Sequence, residues 1–185
     1  MNSIINHILI SMPHINDPLF NNSVIFICEH DEKGAMGLII NKCFQKKDLK
    51  ELNDDINEES SEILNIVSNV YFGGPVLIER GILLHSEKKY SEQSIKVSDD
   101  FFISSDKKTL LSMLKNKKKI NNRLFLGHSG WSSGQLENEI KNGDWLVQDT
   151  SPEFIFNVPA EQMWSIAFQS YGIDSSNSPS FGGQA

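Results

Sequence analysis

The chain has 185 residues, 39% of them hydrophobic, and a formal net charge of -7. That is enough apolar material for one sizeable core, and a single ordinary soluble domain accounts for it. The acidic balance, with Arg80 and Arg123 as the only arginines, disfavours direct nucleic-acid binding, because a phosphate-binding surface needs excess positive charge and forked guanidinium contacts.

The first residues, MNSIINHILISMPHIND, lack a basic start, and their apolar run is broken by His7 and ended by Met12-Pro13. No later run approaches the roughly 18 apolar residues of a membrane span. A cytoplasmic protein without a membrane segment is therefore expected.

SVIFICE at residues 23–29 is rich in β-branched and aromatic side chains and predicts a strand. HDEKG supplies turn chemistry, and AMGLIIN at 35–41 predicts the return strand of a hairpin. Both strands are almost continuously apolar, so both faces of this hairpin should be covered. With residue 29 opposite 35, Cys28 would oppose position 36 and Cys43 position 21. That separates the cysteines by about 20 Å at ~3.3 Å per residue, well beyond the ~7 Å a disulfide allows. Both are expected to be reduced, with Cys28 a buried strand cysteine.

Leu49, Leu52 and Ile56 recur at helical spacing and predict a short amphipathic helix before an acidic loop. NVYFGGPVLIERGILLH at 69–85 predicts a strand, a stiff corner at Gly73-Gly74-Pro75, and a second strand at 82–85. Further strands are expected at 94–97 and 101–104. A helix should run from about Lys107 to Leu114 with Leu110, Leu111 and Leu114 inward, and the lysines of 115–119 suit its negative end.

RLFLG at 123–127 predicts another buried strand, leading into LGHSGWSSGQLENEI at 126–140. Gly127, His128, Ser129 and Gly130 resemble the start of a nucleophile elbow, but Trp131 stands where G-x-S-x-G needs its last glycine. His128 and Ser129 are also neighbours, and adjacent side chains on an extended chain point to opposite faces, which prevents a simple base and nucleophile pair. The structural reading is a glycine turn, a capping box between Ser132 and Gln135, a short helix ending at Asn142-Gly143, and the strand DWLVQ. Such a helix start could also favour an anion, with His128, Ser129 and Trp131 at the rim.

PAEQMWSIAFQSYGI begins with Pro159 and predicts a helix carrying Met163, Ile166, Ala167 and Tyr171 on one face, capped at Gly172 and Ile173. The closing DSSNSPSFGGQA is poor in apolar residues. One domain over 1–174 and a mobile tail over 175–185 are expected. Strands do not alternate regularly with long helices, so the fold class is α+β with a mixed, mostly antiparallel sheet.

CEHDEKG gathers Cys28, Glu29, His30, Asp31 and Glu32, but no His-x-x-x-His or Cys-x-x-Cys spacing completes a metal site. Neither phosphate-binding glycine motif is present. No metal, cofactor or catalytic residue is assigned.

The segments LISMPHINDPLFNNSVIFICEHDEKGAMGLIINK, VYFGGPV, RGILLHS, LGHSGWSSGQLENEI, DWLV and MWSIAFQSYGID resemble, in that order, the YqgE/AlgH family of bacterial proteins. The resemblance covers residues 9–174. It implies a single domain whose sheet curls into a small barrel-like core flanked by helices. Some members carry the label of transcriptional regulator through an association with exopolysaccharide production, without a recognised DNA-binding element. This sequence has His128 and Ser129 where Tyr and Ala are commoner in the family, and Gln184 where the tail often has His. A catalytic Ser-His pair would not tolerate such variation.

The expected function is thus that of a cytosolic, non-enzymatic binding or regulatory protein acting through a small ligand or a protein partner, with any transcriptional effect indirect. Glu29, His30, Asn41, Gly73, Gly74, Gly127, His128, Ser129, Gly130 and Trp131 are the candidates for a shared polar, glycine-rich surface near strand ends. One alternative is a hydrolase-type enzyme using His30, His85 or His128 as acid or base, which requires two of them to converge. The other is direct nucleic-acid binding through the lysines of 115–119.

Overall fold

The computed structural model describes residues 3–45, 49, 67, 69–115 and 121–172. The predicted helix through Leu52 and Ile56, the lysines beyond Lys115, the Ile173 cap and the tail lie outside the described residues.

Among the described residues nine strands form one curled sheet: β1 His7–Ser11, β2 Val24–Asp31, β3 Gly34–Ile39, β4 Val70–Phe72, β5 Val76–His85, β6 Ile95–Lys96, β7 Phe102–Ser104, β8 Asn122–Ser132 and β9 Trp145–Asp149. The order is β6-β7-β5-β8-β3-β2-β1-β9, with β4 paired to β8 as well. The β4–β8 pair is parallel and the other pairs are antiparallel. Among the described residues four α-helices pack on this sheet: α1 Lys107–Leu114, α2 Gln135–Lys141, α3 Pro152–Asn157 and α4 Ala160–Ser170. The molecule is a single α+β domain with a half-barrel core.

Strand alternation divides the apolar residues between two faces. On one face Ile8, Phe26, Leu38, Ile82, Phe125 and Ile103 converge into one cluster, closed by Ile155 of α3 and by Met163, Ala167 and Phe168 of α4. The other face splits into two clusters. Leu9, Ile25, Ile27 and Ile39 pack with Trp131, Trp145 and Leu136 of α2, whereas Leu83, Leu124 and Leu126 pack with Leu110 and Met113 of α1. Curling produces this asymmetry, since side chains converge inside the curve and diverge outside it. The near-continuous apolar strands are covered on both faces as their pattern requires.

The predicted hairpin forms in the predicted register from Ile25 to Ile27 and shifts by one residue beyond it. Glu29 opposes Met36 and His30 opposes Ala35, because a bulge between Ile27 and Glu29 inserts Cys28. The strand also runs through His30 and Asp31, which leaves Glu32 and Lys33 as the turn. Cys28 and Cys43 are free thiols, and burial pushes the Cys28 thiol far above its ordinary value.

A second correction concerns GHSGWS. These residues continue β8 instead of forming a turn, and the break comes at Gly134, whose φ is 73°. The reason lies elsewhere in the chain, because the Gly73-Gly74 corner packs against this strand and needs its glycine. A Cβ on Gly73 would stand 2.2 Å from the Gly127 carbonyl oxygen, and one on Gly127 2.3 Å from that of Gly74. Real Cβ atoms do not come so close, so both positions require glycine.

The helices differ in detail. In α1 the buried residues are Thr109, Leu110 and Met113, with Leu111 and Leu114 only partly covered. In α4 Met163, Ala167 and Phe168 are buried while Ile166 and Tyr171 are exposed, because the helix meets the sheet by the edge where Trp164 stacks on Phe168 and donates to the Ser11 carbonyl of β1. The short helix α3 was not anticipated, although Ser151, Pro152 and Glu153 are a legible start signal. The Ser151 hydroxyl accepts from the Phe154 amide at 3.2 Å.

Candidate functional site

A cleft of about 160 Å³ opens at the mouth of the half-barrel. Two sheet irregularities build it. The Cys28 bulge turns Glu29 onto the side of Met36, and both line the cleft. In β5 the pairing passes from Val76 opposite His128 to Gly81 opposite Leu126, five positions against two. The surplus residues bulge outward, with Leu77 at φ 50°, and deliver Arg80 to the cleft while Val76, Leu77 and Ile78 stay exposed. A bulge re-aims side chains in this way because its extra residue breaks the period of two.

The walls combine charge and hydrocarbon. Glu29, Arg80, Ser105 and His128 bring polar groups, whereas Met36, Ile82 and Ile103 form an apolar floor with Ile95 at the rim. Nη2 of Arg80 donates to the Ser105 hydroxyl at 2.8 Å. His128 is held by backbone pairing and the glycine corner, yet its Nδ1 is buried without a hydrogen-bond partner among the described residues. A polar atom withdrawn from water in this way is costly unless something else satisfies it. Burial, reinforced by the positive charge of Arg80 and opposed by Glu29, lowers the His128 pKa below its ordinary value. The ring is consequently neutral at pH 7, with one nitrogen able to donate and the other to accept.

The other sequence candidates separate. His30 shares the opposite face of β2 with Ala35 and is buried. Its Nδ1 accepts from the Ile4 amide at 3.2 Å, so Nε2 carries the proton toward Glu137 at 3.0 Å. Trp131 also lies on that face, where its indole and that of Trp145 each donate to Oε2 of Glu139 at 2.8 Å. The Ser129 hydroxyl donates to the Gly73 carbonyl at 3.3 Å. Asn41 clamps the base of the hairpin, accepting from the Val24 amide and donating to the Asn22 carbonyl, both at 2.8 Å. Gly73, Gly74 and Gly127 support the backbone behind His128. Gly130 opposes Met36 beside the cleft. Glu29, His128 and Gly130 are thus brought together, while His30, Asn41 and Trp131 lie elsewhere.

The capping box is only half formed. Oε1 of Gln135 accepts from both the amide and the hydroxyl of Ser132 at 3.1 Å, and the Ser132 hydroxyl caps no helical amide. Glu137 occupies the first turn, its carboxyl lowered first by its own amide and then by His30. The helix start serves this carboxylate, and His128 and Ser129 do not rim it.

His85 lies at the far end of β5, buried and stacked on Phe102, with Nε2 at 2.9 Å from the Ser94 hydroxyl and Nδ1 accepting from the Glu87 amide at 3.2 Å. No hydrogen bond joins His30, His85 and His128 to one another among the described residues. Sequence reasoning missed Arg80, Ser105 and Met36 as site residues. Rarity was the one available signal, since Arg80 is one of two arginines among 17 basic residues.

The class is that of a half-barrel α+β domain with a small polar and apolar cleft at its mouth, and no described helix is long and apolar enough to cross a membrane. The chain belongs to the AlgH-like family, whose model matches residues 8–176. It is 41% identical over 176 residues to a UPF0301 protein of Shewanella frigidimarina, covering 94% of each chain. A UPF0301 protein of Vibrio parahaemolyticus is 39% identical over 189 residues, covering 97% of this chain and 98% of the other. Among solved structures, the AlgH protein of Pseudomonas aeruginosa superimposes with a TM-score of 0.73 at 29% identity, over 100% of this chain and 97% of that one. A Corynebacterium diphtheriae protein shares the fold with a TM-score of 0.69 at 19% identity, over 92% and 88% of the two chains.

Proposed function

We propose that this protein is a cytosolic binding protein that holds a small ligand in the cleft at the half-barrel mouth, and that any regulatory role works through occupancy of that cleft. The unpartnered, buried Nδ1 of His128 among Glu29 and Arg80 is the observation that carries this reading. A rotation of the ring that turns Nδ1 to a guest's hydrogen-bonding group would relieve a desolvated atom that the described residues leave unsatisfied. Contact with DNA is not needed in this scheme, and the net charge of -7 opposes it.

The test is native mass spectrometry of the protein purified gently from its own cytosol, beside a His128→Ala variant. A small molecule retained by the wild type and lost from the variant supports the proposal. A bare wild-type chain, or a molecule retained equally by both, counts against it.

A further inference from the structure

We infer that the ligand of this cleft is a compact zwitterion with an aliphatic body, of the kind represented by a free branched-chain amino acid. The inference rests on the cleft being a ligand site. Glu29 and Arg80 line the same small space, yet they form no ion pair with each other among the described residues. Ser105 holds the guanidinium through one nitrogen at 2.8 Å, leaving further N–H donors. Opposite charges kept apart across a cleft suit a guest carrying the complementary pair, with a carboxylate toward Arg80 and an ammonium toward Glu29.

Three further features narrow the class. Met36, Ile82 and Ile103 add hydrocarbon to the same lining, which matches an aliphatic side chain rather than a sugar. The volume of about 160 Å³ is below the ~300–1,000 Å³ typical of drug-sized ligand pockets, so the guest is small. Glu29 also disfavours phosphate and other dianions, which would meet a carboxylate wherever they met Arg80. His128, neutral at pH 7, can complete the carboxylate's hydrogen bonds without adding charge.

The experiment is an NMR titration of the full chain with four probes: L-leucine, 4-methylpentanoate, 3-methylbutylamine and inorganic phosphate. L-leucine is expected to shift the amide signals of Glu29, Met36 and His128. The acid and the amine, each lacking one charge-assisted contact, should bind about tenfold or more weakly. Arg80→Gln should abolish the advantage of L-leucine over the amine, and Glu29→Gln its advantage over the acid; both side chains are exposed, so the fold should survive. If the acid or phosphate binds as tightly as L-leucine, the zwitterion inference falls and the ligand site stands. If no probe shifts these signals while native mass spectrometry finds another guest, the result is the same. With no shift and no retained guest, both readings fall.

Discussion

Gly74 and His128 are in such close contact that a Cβ on the glycine would lie 2.3 Å from the His128 carbonyl carbon. The corner between β4 and β5 therefore presses directly on the strand that presents the one cleft histidine. Gly74 also has a φ of 147°, a conformation that L side chains rarely adopt. Gly74→Ala should destabilise the fold by about 2–4 kcal/mol, through overpacking and backbone strain together. The midpoint of urea unfolding measures this, and an unchanged midpoint would show that the corner is softer than the geometry implies.

His128 reports the charges around it. Its pKa lies below the ordinary value through burial and Arg80, while Glu29 acts in the opposite direction. Arg80→Gln should raise the pKa and Glu29→Gln should lower it further, as read from the imidazole proton shift against pH. Shifts of the reverse sign would remove the cleft electrostatics from the argument.

His85 makes the protein sensitive to acid. Burial lowers its pKa from 6.5 to about 4, so the unfolded chain binds a proton between these values that the folded chain does not. Stability must then fall as the pH drops from 6.5 toward 4, with one pKa unit corresponding to about 1.4 kcal/mol. His85→Phe, which keeps the stacking on Phe102, should flatten the pH dependence in this window. Unfolding curves at pH 4.5 and 7 test it, and identical slopes in wild type and variant would contradict it.

Glu139 ties two buried indoles to α2. Glu139→Ala leaves the N–H groups of Trp131 and Trp145 without their acceptor, a loss of about 1–3 kcal/mol for a buried unsatisfied donor. Tryptophan emission should change in the same variant. The third tryptophan, Trp164, donates instead to the Ser11 carbonyl at 2.9 Å and should be unaffected, which gives an internal control by near-UV circular dichroism.

The hairpin of β2 and β3, β4, the last four residues of β5, β6, β7, the start of β8, β9, α1, α2 and α4 are legible locally because period-two and period-3.6 apolar patterns are properties of short segments. So are the reduced cysteines and the double coverage of the sheet. The order of motifs likewise suffices to place the chain in its family.

The candidate site was only partly legible. Glu29 closed the predicted strand and His30 opened the predicted turn, yet the strand continues through both and puts them on opposite faces, and only the Cys28 bulge sends Glu29 to the cleft. Gly127 read as a turn residue, whereas it lies within β8 at φ 70°, and the approach of Gly74, 53 positions earlier in the chain, also leaves no room for a Cβ there. A local pattern cannot reveal that a distant neighbour's approach requires a glycine. Arg80 enters the site through a mismatch in pairing between two strands, a property of neither strand alone. The sequence by itself determined most of the strands and helices, through their apolar periodicities, and required that both faces of the central hairpin be buried. Tertiary structure decided which polar side chains meet, because bulges and close backbone crossings break the periodicities on which sequence reading depends.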